Sequence, residues 1–187
     1  MTILEFVTKK HEGQPRKYTN EPYVNHLIRV ASNFEKDSYL YNLALCHDLF
    51  EDTDCTPQEL KEVLNYNVNV DKDGYSLVEG IYELTDEYTK AKYSALNRAK
   101  RKEYELQRLT QISPESMTVK YADLIDNCDI VLYDKRFGKI YLQEKYEILK
   151  HCKQGDFDLY YKAIVKHNEM MKLLWKTDKN NRSITII

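Results

Sequence analysis

The stretch Cys46-His47-Asp48-Leu49-Phe50-Glu51-Asp52-Thr53 constrains this chain more than any other, because it sets four ionisable side chains into a pattern that is otherwise apolar and helical. Leu40, Leu43 and Ala44 lead into it at the three- and four-residue spacing of a buried helix face. Ionisable groups carried inward on such a face are costly unless they are paired or hold an ion. On a continuous helix Glu51 lies four residues after His47 and Asp52 four after Asp48, so all four gather on one broad face. A face of that kind suits a divalent cation and the water it activates.

Helix breakers are sparse elsewhere. With five Gly, four Pro and 31% charged side chains in 187 residues, long amphipathic runs go uninterrupted, and an all-α, single-domain bundle spanning 1–187 is expected. The spacing predicts a first helix over 2–11, a second opened by Pro22 and carrying Val24, Leu27, Ile28 and Ala31, and a third capped at Asp37 that runs into the His47 stretch. Thr56-Pro57-Gln58-Glu59 reads as a capping box for a short helix ending near Asn65. Further helices are expected over 76–84 and 93–112, and one started by Ser113-Pro114 runs through Asn127. The motif-bearing core covers about 11–133, two closing helices about 139–152 and 156–175, and a tail 176–187, of which 180–187 reads as a short strand or a frayed end. The polar loop 67–74 contains Asp71-x-Asp73-Gly74, but its acidic spacing is wrong for calcium and Tyr82 stands where a closing Glu belongs.

A net charge of −2 offers no general affinity for nucleic acid or membrane surfaces. No segment reaches the roughly 20 apolar residues of a membrane span, and Met1-Thr2-Ile3-Leu4-Glu5-Phe6 lacks the basic-then-apolar order of a signal peptide, so a cytoplasmic location is expected. Cys46, Cys55, Cys128 and Cys152 form no C-x-x-C pair, which argues against a zinc-thiolate site.

Two more candidate ligands lie outside the central stretch: His26 in Tyr23-Val24-Asn25-His26-Leu27, and Asp123 in Val119-Lys120-Tyr121-Ala122-Asp123. Singly, each reads as readily as a hydrogen-bonded core histidine or a helix-surface acid. Together, His26, His47, Asp48 and Asp123 make a mixed nitrogen and oxygen donor set suited to Mn²⁺, Fe²⁺ or Zn²⁺, with positions left for water. The order His, His-Asp, Asp across three predicted helices resembles the HD-domain phosphohydrolases. Adding His11-Glu12-Gly13-Gln14-Pro15-Arg16-Lys17, Glu21-Pro22-Tyr23, Glu51-Asp52-Thr53 and Asn127, the match narrows to the hydrolase domain of the RelA/SpoT family and its small stand-alone (p)ppGpp hydrolases. It covers about 11 to 127.

The resemblance implies a metal-dependent hydrolase that removes the 3′-pyrophosphate of (p)ppGpp, with Mn²⁺ as the family's ion. Its partner is then a small-molecule nucleotide, and neither a nucleic acid nor a membrane. Glu51 and Asp52, one turn beyond the ligands, would orient or deprotonate the attacking water. Arg16 and Lys17 match the family pair that reaches base and phosphates; on residue grounds alone they are a solvated basic loop. Arg98, Arg101 and Lys102, at i, i+3 and i+4, make either a positive stripe for a distal pyrophosphate or an ordinary solvated helix face. Asn127, four residues after Asp123, either recognises ribose or base or braces Asp123. His11 is expected to brace its loop, and Tyr121 and Tyr133 are candidates to line the pocket. Where relatives carry basic residues this chain has Leu124 and Asp129, and a regular helix would turn Asp129 away from the face of Asn127. Two alternatives stay open: an HD phosphatase acting on NADPH or a nucleoside 5′-monophosphate, or a nucleotide-sensing module with little turnover.

Overall fold

A computed structural model describes residues 1–64 and 76–177, the last three as backbone alone. The acidic loop 71–74 and the tail 180–187 lie outside the described residues.

The N-terminal half consists of α1 (Ile3–Lys10), α2 (Val24–Ala31), α3 (Tyr39–Cys46), the single turn α4 (Leu49–Asp52), α5 (Pro57–Val63) and α6 (Leu77–Leu84). Then come α7 (Arg98–Leu109), α8 (Pro114–Asn127), a 3-10 turn (Cys128–Leu132), α9 (Lys135–His151) and α10 (Phe157–Thr177). Most starts are written in the side chains. Thr2 with Glu5, Thr56 with Glu59 and Ser76 with Glu79 form reciprocal capping boxes, while Asn97, Ser113 and Asp134 cap α7, α8 and α9 singly. Ser38, not Asp37, caps α3, and Asp37 sits before it at φ +65°, a left-handed conformation that Asp tolerates better than most residues. The charged helix expected from residue 93 begins only at Arg98, because the Asn97 side chain accepts the Lys100 N–H at 2.9 Å and fixes the start there. Among the described residues no helix is long and apolar enough to cross a membrane. All four cysteines are buried and unpaired.

Helix α8 divides the interior. Its Val119 and Ala122 face a core built from α1 to α6, with Leu27, Leu43, Leu49, Leu60 and Ile81 fully buried. Its Met117, Tyr121 and Leu124 face a second core shared with α7, α9 and α10. Tyr121, expected as a pocket candidate, belongs instead to that core: it is fully buried and its hydroxyl donates to the Cys152 carbonyl at 2.8 Å. Gly155, between α9 and α10, lets the chain pass close to α8, since a Cβ there would lie 2.7 Å from Tyr121 Cε2 and 2.8 Å from the Thr118 nitrogen. A helix buried on two opposite sides has little freedom to tilt. Asp123, which it carries, is placed correspondingly firmly.

Candidate active site

The helical run into the His47 stretch is broken. Helix α3 ends at Cys46, His47 and Asp48 form a turn with Asp48 at φ −98° and ψ 0°, and α4 restarts at Leu49. Successive residues on an α-helix point about 100° apart, whereas the break turns His47 Nε2 and Asp48 Oδ2 to within 3.0 Å of each other. The single face expected over 47–52 is therefore replaced by two adjacent side chains aimed at one point.

His26, on the buried side of α2, directs Nε2 at the same point, 3.6 Å from Asp48 Oδ2 and 3.4 Å from Asp123 Oδ1, and His47 Nε2 lies 3.7 Å from Asp123 Oδ1. Among the described residues His26, His47 and Asp48 form a group whose donor atoms all lie within 4.8 Å of one another. Both imidazoles are held from behind. His47 Nδ1 lies 2.8 Å from the Ala44 carbonyl and His26 Nδ1 2.7 Å from Asp126 Oδ2, partners that only accept, so each Nδ1 carries a proton. A neutral imidazole then presents a bare Nε2, and that of His47 is buried with no hydrogen-bond partner.

Two lone pairs facing two carboxylates repel unless something positive lies between them. The electrostatic balance among the groups points the same way. Burial alone would lower His47, but Asp48 and Asp123 push it up to about 10, and His26 is raised against burial by its bonds to Asp123 and Asp126. Asp48 and Asp123 are both held well below the usual carboxylate range despite burial, Asp48 first by His47 and Asp123 first by Lys120. The donor set thus fits a divalent cation, with second partners already fixing each ring. Tyr23 donates to Asp48 Oδ2 at 2.6 Å, Lys120 Nζ lies 3.1 Å from Asp123 Oδ2, and the Asn127 amide donates to Asp123 Oδ1.

Two clefts are lined by partners of this cluster, one by Tyr23, Asp126 and Asn127 and the other by Lys120. One, of about 450 Å³, runs between the 13–22 loop and the C-terminal end of α8, lined by Arg16, Lys17, Tyr23, Asn127, Asp129 and Tyr133 among others. The loop is a closed hairpin: the Arg16 N–H donates to the Glu21 carbonyl at 2.8 Å, the Tyr23 N–H to that of Gln14 at 2.9 Å, and Pro15 and Pro22 pair across it. The other cleft, of about 470 Å³, lies between α7 and α9, where Lys102, Lys120 and Lys145 stand with Asp86 and Glu144 over an apolar floor of Leu106, Leu109, Ile140 and Ile148. Glu51 and Asp52 are exposed on α4, Glu51 accepting the Asp86 N–H at 3.1 Å and Asp52 lying 3.4 Å from the Gln14 amide. Desolvation, then the nearby Asp86, raises the Glu51 carboxyl above its ordinary value.

The chain has relatives among known proteins. The chain is 33% identical over 133 residues to human MESH1, named guanosine-3′,5′-bis(diphosphate) 3′-pyrophosphohydrolase, the alignment covering 68% of this chain and 66% of the human protein. A bacterial protein of that enzyme name from Aquifex aeolicus is 34% identical over 126 residues, covering 66% of this chain and 16% of its own. The solved structure of a metazoan SpoT ortholog, described as hydrolysing ppGpp, superposes with a TM-score of 0.69 over 91% of this chain and 92% of that one, at 21% identity, and so shares the fold. The chain belongs to the RelA/SpoT-type HD-domain hydrolase family. No family model matches it.

In this member of the family several expected residues land elsewhere than the pattern implied. Arg98 is spent on Glu144 (2.6 and 2.8 Å), Arg101 turns back to the Leu96 carbonyl, and of the three Lys102 is the one that lines either of these two clefts, 2.9 Å from Asp86. Lys17 lies 4.8 Å from the centre of the Tyr18 ring and 5.3 Å from that of Phe137. Asp129 does share the cleft of Asn127, contrary to regular helix geometry, because α8 tightens into the 3-10 turn at Cys128 and changes the angle per residue. Leu124 is buried. His11 braces its loop through Gln14 at 2.7 Å and stacks on Tyr23. Sequence reasoning gave no role to Lys120, Lys145, Asp86, Tyr23 or Asp126. Lys120 and Asp126 carried a usable signal, each standing three residues from Asp123 on one helix.

Proposed function

We propose that this chain is a metal-dependent nucleotide hydrolase that cleaves the 3′-pyrophosphate of (p)ppGpp, acting as one HD phosphohydrolase domain. The observation that carries the reading is the convergence of two rear-anchored imidazoles and two carboxylates whose partners line two clefts, Asp126 and Asn127 the one with a basic loop and Lys120 the one with three lysines. The names of the relatives supply the substrate. His26, His47, Asp48 and Asp123 are the proposed ligands of a divalent ion, and Mn²⁺ is the ion proposed. Such an ion supplies Lewis acidity, polarising a phosphate oxygen and acidifying water.

The chain's own residues do the rest. Glu51, whose carboxyl is raised and which faces the Lys120 side of the centre, accepts the proton of the attacking water, with Asp52 orienting it. The 3′-pyrophosphate lies toward Lys120, Lys102 and Lys145, whose ammonium groups stabilise charge that builds on the leaving oxygens. The nucleoside occupies the other cleft, with Arg16, Lys17 and Asn127 beside it and the exposed ring of Tyr133 available for stacking. Arg98 and Arg101 have no part in this assignment. Four buried, unpaired thiols suit a reducing, cytoplasmic setting.

The test is product analysis after incubating the purified protein and Mn²⁺ with ppGpp, pppGpp, NADPH and nucleoside 5′-monophosphates. Pyrophosphate with GDP or GTP is expected. Turnover of NADPH or a monophosphate with ppGpp left intact would overturn the substrate and leave the metal centre standing.

A further inference from the structure

We infer that Asp126 is a positioning residue whose one carboxylate sets both the His26 imidazole of the metal centre and the Arg16 guanidinium of the nucleotide cleft. The inference rests on the reading that His26 is a metal ligand. Asp126 Oδ2 accepts from His26 Nδ1 at 2.7 Å and from Arg16 Nη2 at 2.9 Å, while Oδ1 accepts from Arg29 Nε at 2.6 Å. Arg29 is in turn fixed by two bonds to Glu21, at 3.1 and 2.9 Å, across the base of the hairpin loop. Arg16 Nη2 also donates to the side-chain oxygen Oδ1 of Asn127 at 2.9 Å.

Each of these partners is a donor, so the position calls for an acceptor with no hydrogen of its own. A carboxylate meets that demand and an amide does not: in Asp126→Asn an NH₂ group must face His26, Arg16 or Arg29. The bond to His26 fixes which ring nitrogen stays bare toward Asp48 and Asp123 and makes it a stronger donor. The bond to Arg16, together with that to Asn127, holds a long side chain at the cleft wall, so less freedom is lost when an anion binds it. Removing the carboxylate should therefore impair two properties that Arg16 alone does not join.

Calorimetric titration with Mn²⁺ and steady-state kinetics with ppGpp test this on the full chain. Asp126→Asn is expected to weaken Mn²⁺ binding about tenfold or more, in the range found for second partners of metal-bound histidines, and also to raise KM. Arg16→Ala is expected to raise KM while leaving Mn²⁺ affinity within about twofold, the ligand cluster being untouched. Equal Mn²⁺ affinity in wild type and a folded Asp126→Asn would overturn the inference and leave the metal centre intact. A wild type that binds no Mn²⁺ would overturn both. Should Asp126→Asn fail to fold, nitrogen chemical shifts of His26 in the wild-type protein at alkaline pH decide the matter. Protonation at Nδ1 is required, and a ring protonated at Nε2 would overturn the inference.

Discussion

His47 spends one ring nitrogen on the Ala44 carbonyl and buries the other beside Asp48 and Asp123, so its removal takes away a donor that no neighbour replaces. His47→Ala is expected to abolish stoichiometric Mn²⁺ binding, read by metal analysis of the purified protein; occupancy equal to wild type would rule His47 out as a ligand. Glu51→Gln and Asp52→Asn keep shape and most of the metal while removing charge, and are expected to lower kcat about 10²–10⁴-fold with circular dichroism unchanged. Lys145 gives a prediction in pH. Burial, with Lys120 next, lowers its ammonium to about 8, so it is charged below that value and neutral above it. KM for ppGpp should therefore climb between pH 7 and 9, and in Lys145→Met it should start high and stay flat over the same range. A wild-type KM that falls through that interval would remove Lys145 from the phosphate side. None of this was readable from Lys145 in the sequence, where it is one lysine in a charged amphipathic run; its place follows from α9 packing against α7.

At the scale of elements, what was legible was where side chains meet their own backbone. Thr56 with Glu59 and Ser113 with Pro114 announce α5 and α8 because a cap is a contact over three residues. The break at His47-Asp48 was not legible, since Leu49 and Phe50 continue an apolar pattern that periodicity alone reads as one helix. The stripe of Arg98, Arg101 and Lys102 is divided among separate partners for a similar reason: spacing gives a shared face but not Glu144 and Asp86, which come from other segments. The loop that brings Asp86 to Glu51 is likewise fixed from a distance. Buried Glu105 on α7 accepts the N–H groups of Glu87 and Tyr88, each at 3.0 Å, and pairs with Arg108, which also donates to the Glu83 carbonyl. Glu105→Ala leaves Arg108 and two amides without that acceptor and should cost about 3–5 kcal/mol, measurable by urea unfolding. Because the same loop carries Asp86, activity should fall further than stability requires at temperatures where the variant is fully folded. Unchanged stability would mean the loop is held by other contacts.

For the molecule as a whole, the proposed ligands come from α2, the turn after α3, and α8, and α8 is the helix that both principal cores share. An ion held by these three segments joins them at one point, in a place where the apo protein faces opposed lone pairs and carboxylates. An unfolded chain offers no comparable set, so binding free energy is transferred to stability by mass action. At a hundredfold excess over its dissociation constant the ion adds about 2.7 kcal/mol, which for a chain of this size raises Tm on the order of 5–10 °C. Mn²⁺ added to chelator-treated protein should therefore produce a concentration-dependent rise in Tm by calorimetry, reversed by excess chelator and absent in His47→Ala. Mg²⁺, which dehydrates reluctantly and prefers oxygen to imidazole, should produce a smaller rise at equal concentration. A Tm indifferent to Mn²⁺ up to millimolar concentration would show that the two histidines and two carboxylates meet without holding an ion, and that the positive charge between them is a proton.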